Sequence, residues 1–194
     1  TEIYTLSLHD ALPISLLSAY IGTFNLTLNN EYYYIGAQLK EDEIKEGINI
    51  LFTEIERVKQ NGFTPKELEI EKEKEILSHE QAIKEKKTRT NDSIVTEYTR
   101  NFLENEFVSG EEREYELMKQ LLPTISVNDL NNHFLNWLRY DDRIINIKYP
   151  EKIKNIISKD ELLNLETKIQ KNKLSQFASF VKDEPLLEKK TTRI

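Results

Sequence analysis

The chain has 194 residues, with 27 Lys and Arg against 34 Asp and Glu, a net charge of −7 and no Cys. That length suits one domain of ordinary size, and only 5 Gly and 5 Pro exclude a collagen-like or Pro/Gly-rich disordered chain. The missing Cys removes disulfides, thiolate zinc sites and Cys nucleophiles, the acidic balance argues against a general nucleic-acid binder, and no apolar run approaches a membrane span.

The first residue is Thr1, and the stretch after it carries Glu2 and Asp10 where a secretory signal would be basic. Thr5-Leu6-Ser7-Leu8-His9-Asp10-Ala11-Leu12-Pro13-Ile14 looks like the translation of a common sequencing-adapter sequence. The alternative is a short natural segment ending near Pro13. We therefore expect residues 1–14 to be an artefact, and native sequence to be readable only from about Ser15.

Phe24, Leu26 and Leu28 alternate with Asn25 and Thr27, the period-2 pattern of a half-buried strand. Asn29-Asn30 follows as a tight turn, and Tyr32-Tyr33-Tyr34-Ile35-Gly36-Ala37-Gln38-Leu39 is a second, aromatic strand. The three tyrosines suit sheet packing, and a sugar- or peptide-stacking platform is the rival reading. Ile44, Ile48, Leu51, Phe52, Ile55 and Val58 then recur at spacings of three and four, predicting a helix over roughly residues 42 to 60. Asn61-Gly62 stops it, with Gly62 suited to a left-handed C′ position.

Thr64-Pro65-Lys66-Glu67 restarts the chain with a capping box and Pro at the first helical position. The helix that follows reaches to about Lys87, roughly 35 Å. Leu68, Ile76 and Ile83 give it a narrow apolar stripe between alternating Glu and Lys, which reads as a solvated outer helix. Thr90-Asn91-Asp92-Ser93 caps another amphipathic helix, carried by Ile94, Val95, Tyr98, Phe102 and Leu103 to about Glu106. Ser109-Gly110-Glu111-Glu112 reads as a capping box for a helix that Pro123 ends. Ser126-Val127-Asn128-Asp129 caps a fifth, with Leu130, Phe134, Trp137 and Leu138 on its inner face. Asp141-Asp142 reads as a turn, and the run holding Ile144, Ile145 and Ile147 as a strand ending at Pro150. Ser158-Lys159-Asp160-Glu161 caps a last helix through Leu162, Leu165 and Ile169. From about Lys171 the chain turns polar, and Asp183 to Lys190 reads as a linker.

The expected order is β-β-α-α-α-α-α-β-α. This is an α+β domain, with an antiparallel sheet covered on one face by several helices, one of them long.

Chemistry-bearing motifs fail individually. His79-Glu80 opens like H-E-x-x-H, but the second ligand position is Ile83. The inverted form needs two His four apart, and His9, His79 and His133 are far more separated. His133 stands beside the apolar face of Phe134 and Trp137, where packing is the plain reading. There is no Gly-rich phosphate loop and no nucleophile elbow, and no carboxylate stands in an apolar setting suited to acid-base work. From the residues alone we assign no catalytic, cofactor-binding or metal-binding residue.

Several segments together resemble one family. Glu56-Arg57-Val58-Lys59-Gln60-Asn61-Gly62-Phe63-Thr64-Pro65-Lys66-Glu67-Leu68-Glu69 is similar to the helix-Gly-Phe-Thr-helix joint of the pitrilysin/insulinase zinc metallopeptidases. Lys86-Lys87-Thr88 with Asn91-Asp92-Ser93 resembles the break after the long helix there. Glu114-Tyr115-Glu116-Leu117 through Leu121-Leu122-Pro123-Thr124-Ile125, then Val127-Asn128-Asp129-Leu130-Asn131, continues the likeness. Asp142-Arg143-Ile144-Ile145, leading to Tyr149-Pro150-Glu151-Lys152, completes it, in order from about Leu26 to Lys152.

The likeness is to the second, non-catalytic domain of long bacterial members. In that family, four related α+β domains form a two-halved chamber, and the inverted zinc motif lies in the first. The resemblance then implies a fragment that is inactive by itself, from a parent zinc metalloendopeptidase. It implies residues 15–152 as the domain, lacking N-terminal strands of its sheet, 153–175 as a helical extension, and 176–194 as a linker toward a next domain. Zinc would be bound upstream and not here. The partners would be other domains of the same polypeptide and peptide substrates, with no nucleic acid and no membrane span, and a bacterial periplasmic or envelope location would follow by family habit. The alternatives are a structural or partner subunit of the same fold without protease activity, and an acidic, mostly helical interaction module using the long helix.

Overall fold

The computed structural model describes residues 15–27, 30–139, 142–154 and 156–176. The adapter-like segment, Leu28, Asn29, Asp141 and the linker from residue 177 onward lie outside the described residues. The described elements run β1 (Leu16–Thr27), β2 (Asn30–Leu39), α1 (Ile44–Asn61), α2 (Pro65–Glu85), α3 (Asn91–Glu104), α4 (Glu111–Leu121), α5 (Val127–Trp137) and α6 (Lys159–Lys171). Short 3-10 turns follow α2 and α4. The architecture is α+β, as expected.

β1 and β2 form an antiparallel pair in which Ile21 faces Ile35, Thr23 faces Tyr33 and Phe24 faces Tyr32. Successive side chains of a strand point to opposite faces, so the three tyrosines divide. Tyr33 turns toward the helices and meets Phe134 and Trp137 of α5 at ring separations of 6.4 and 5.0 Å. Tyr32 and Tyr34 turn away, where Phe24 stacks on Tyr32 at 5.4 Å and lies 5.9 Å from Tyr34. Gly22 and Gly36 seat rings on this outer face: a Cβ on Gly22 would stand 2.7 Å from the Tyr34 hydroxyl, and one on Gly36 would collide with the Tyr20 ring. A register shift between Leu16 and Ser18 turns Leu16 inward, where it is buried, and leaves Leu17 exposed.

Helix starts follow the sequence closely. Thr64, Ser126 and Ser158 form reciprocal capping boxes with Glu67, Asp129 and Glu161, and Thr90 caps α3 by accepting from the Ser93 N–H at 3.2 Å. Two starts and stops differ in detail. Gly110, not Ser109, is the N-cap of α4, because its φ of 79° aims the chain into the helix while the Ser109 hydroxyl donates to Glu114 at 3.0 Å. Gly62 has the positive φ expected (71°), but its ψ of 178° belongs to an extended, glycine-only region and not to the left-handed helix.

Two sequence expectations are corrected. Asn30 is not a turn residue; it is the first paired residue of β2, opposite Thr27. The run from Arg143 to Pro150 forms no strand. Its β-rich composition favours extended backbone, but a strand also needs a ladder partner. Arg143, at the start of the run, pairs with Glu166 of α6, and Lys152, just past its end, pairs with Glu41 at 2.6 Å. Ile144 is accordingly 89% exposed.

α2 packs on α4, and α1 lies between β2 and α6. Gly47 lets α1 approach the sheet, since a Cβ there would stand 2.6 Å from Leu39. Leu16, Ala19, Ile48, Phe134, Leu162 and Ile169 form the buried apolar core. Against this small core, Val95, Tyr98, Phe102 and Leu103 of α3 stand exposed, as does Phe107 just beyond it.

Candidate functional site

The inward face of the hairpin and the helices opposite it enclose a groove of about 1700 Å³. Ile21, Tyr33 and Ile35 line it from the sheet, Leu68 and His79 from α2, and His133 and Trp137 from α5. Among the described residues its walls carry eleven carboxylate and four cationic side chains, so the concavity is acidic as well as apolar.

The aromatic corner follows from helical spacing. Phe134 and Trp137 are one turn apart on α5, so both rings reach the sheet. Phe63, in the α1–α2 joint, meets Phe134 edge-on at 5.5 Å. His133 lies against Trp137 at 4.3 Å, the packing contact expected of it. The Tyr33 hydroxyl is buried without a hydrogen-bond partner among the described residues, and burial raises its pKa. Three adjacent tyrosines cannot be told apart by spacing, and strand parity singles out Tyr33 as the inward one.

At the other end of the groove, carboxylates are held by cations. Arg89, in the break after α2, reaches Glu97 of α3 and Glu111 of α4, both at 2.5 Å. Glu111 is only 7% exposed. Its pKa is lowered, first by the hydrogen bond it accepts from its own backbone N–H, then by Arg89. The position explains the choice of residue: Glu111 opens α4, where free N–H groups and the helix dipole favour a negative charge.

His9 lies outside the described residues. His79 and His133 reach the same groove from α2 and α5. Glu80, the second letter of the incomplete zinc motif, accepts a hydrogen bond from the Tyr115 hydroxyl at 2.8 Å and so ties α2 to α4. Among the described residues, no three His, Asp or Glu side chains gather as a metal-holding group. No helix among them is long and apolar enough to cross a membrane.

No family model and no curated protein matches this sequence. Solved structures share the fold, among them two of one protease. The crystal structure of the periplasmic protease PqqL from Escherichia coli superposes with a TM-score of 0.76 at 18% identity, over 90% of this chain and 19% of that one. The crystal structure of the first half of the same protease gives 0.71 at 16% identity, over 86% of this chain and 36% of that one. The chain thus spans about a fifth of the intact protease it resembles in fold.

Proposed function

We propose that this chain is a non-catalytic, chamber-forming domain of a zinc-dependent metalloendopeptidase of the pitrilysin/insulinase type. It supports the domain that carries the metal and presents the acidic, aromatic groove to peptide substrates. One observation carries the reading: nine-tenths of the chain follows the fold of a stretch that makes up only a fifth of a protease. The order of the resembling sequence segments, from the Gly62 joint to Tyr149-Pro150, agrees with it.

In this reading zinc is held by another domain of the parent protein, and no step of peptide-bond cleavage is assigned to residues here. The metal would supply an activated water for attack on the peptide carbonyl. The part played by this chain is shape and charge. Its exposed apolar side chains on α3 would be covered by a neighbouring domain of the same polypeptide. The periplasm or envelope is the location that goes with this assignment.

The test is the complete reading frame at its genomic locus. An H-x-x-E-H motif upstream, in frame with Ser15 onward, is the expected result. A frame without it sinks the protease assignment and leaves a structural subunit of the same fold.

A further inference from the structure

Three side chains at the C-terminal end of α1 hold the main chain that follows α6. Gln60 accepts the Leu174 N–H on its Oε1 at 3.0 Å and donates from Nε2 to the Asn172 carbonyl at 3.0 Å. Its carboxamide therefore faces the segment as a neighbouring strand would, with one acceptor and one donor two residues apart. Asn61 Nδ2 donates to the Leu174 carbonyl at 3.2 Å, and Arg57 Nη1 to the Ser175 carbonyl at 2.7 Å.

The gripping groups are themselves oriented. Glu54 receives two hydrogen bonds from the Arg57 guanidinium, at 3.0 and 3.2 Å. Gln60 Nε2 also reaches Glu56, a carboxylate only 5% exposed, and Asn61 Nδ2 also reaches the Arg57 carbonyl. On the other side, the chain leaves α6 extended, with Asn172 at φ −81° and ψ 137°. The side chains of Asn172, Lys173 and Ser175 are exposed, and the one side-chain contact among these bonds is a long one, Arg57 to the Ser175 hydroxyl at 3.4 Å.

We infer that the C-terminal end of α1 is a socket for extended polypeptide backbone, indifferent to the side chains of Asn172, Lys173 and Ser175, which the chain fills with its own residues 172–175. The socket fixes the point and direction in which the chain leaves α6. With the Lys45–Glu161 ion pair at the opposite end (2.8 Å), it pins α6 parallel to α1 at both ends. Backbone recognition holds this exit while leaving the exposed side chains of Asn172, Lys173 and Ser175 out of the grip. The inference goes beyond the chamber-wall reading and does not depend on it.

Amide hydrogen exchange, read by NMR on the full chain, tests it. The Leu174 amide is expected to exchange about tenfold or more slower than an unstructured amide of the same sequence. Gln60→Ala should bring it to the unstructured rate, while Asn172→Ala/Lys173→Ala together should leave it slow. Gln60 is exposed, so α1 amides such as Ile48 should keep their protection in the Gln60→Ala protein. Asn61→Ala should loosen Leu174 less than Gln60→Ala does. A Leu174 amide at the unstructured rate in the intact protein overturns the inference. So does equal release by the Asn172/Lys173 pair, which would make the grip depend on side chains.

Discussion

Asn131 of α5 accepts the backbone N–H of Phe63 on its Oδ1 at 2.7 Å, across 68 residues of sequence. The same carboxamide lies where a Cβ on Gly62 would stand, 2.6 Å from Nδ2. The joint between α1 and α2 is thus made from a glycine-only conformation and locked by a helix that comes much later in the chain.

Gly62→Ala should therefore be destabilising for two separable reasons. The φ of 71° with ψ near 180° strains any residue with a Cβ, costing of order 1–3 kcal/mol, and the clash with Asn131 adds to it. Chemical denaturation should show a loss in that range or above. Adding Asn131→Ala should relieve the clash alone, so the double variant stays less stable than Asn131→Ala by itself.

Arg89 links three helices through two carboxylates, of which Glu111 is buried. Removing it with Arg89→Ala leaves Glu111, among the described residues, the more distant Lys86 at 3.6 Å as a charged partner. Hydrogen bonds to charged groups contribute about 1.5–3 kcal/mol, and a loss of that order is expected in denaturant midpoints. Arg89→Lys should restore little, because one ammonium cannot reproduce the fork that spans Glu97 and Glu111.

Glu161 should titrate far below an ordinary carboxylate. Its pKa falls to about 2, chiefly through the hydrogen bond from Lys45, then through those it receives as partner of the Ser158 cap. A folded-state pKa below the unfolded one means that the contribution is full above the ordinary value of 4.5 and is lost as pH falls toward 2. Carbon-detected NMR of the side-chain carboxyl should give the low midpoint, and Lys45→Ala should raise it. A midpoint near 4.5 in the unaltered protein would show that neither interaction persists in solution.

Tyr33 buries a hydroxyl with no partner among the described residues. An unsatisfied buried polar group costs about 1–3 kcal/mol, and deleting it along with its oxygen can stabilise. Tyr33→Phe should leave the protein at least as stable, with a gain of about 1 kcal/mol or less in thermal or denaturant unfolding. Trp137 is the chain's single Trp and lies 5.0 Å from the Tyr33 ring, so its fluorescence reports whether the aromatic corner has kept its packing.

The sequence alone determined the local events. The Thr64, Thr90, Ser126 and Ser158 caps, the stop at Gly62 and the apolar stripes of α1 and α5 depend on side chains within a turn or two of one another. Such interactions have the same partners in a short peptide as in the fold, which is why they can be read from spacing. The hairpin, the succession of helices and the α+β class followed from them. Tertiary structure decided what local pattern leaves open. The segment at Ile144 and Ile145 has strand composition, yet ladder pairing depends on which chain lies alongside, and here Arg143 pairs with Glu166 instead. Which of three tyrosines turned inward awaited strand parity, and the hold of Asn131 on Phe63 and of Gln60 on Leu174 awaited helices brought together from distant sequence. Long-range contacts are fixed by how whole elements bury their apolar faces together, and that sum is not written in any one stretch of residues.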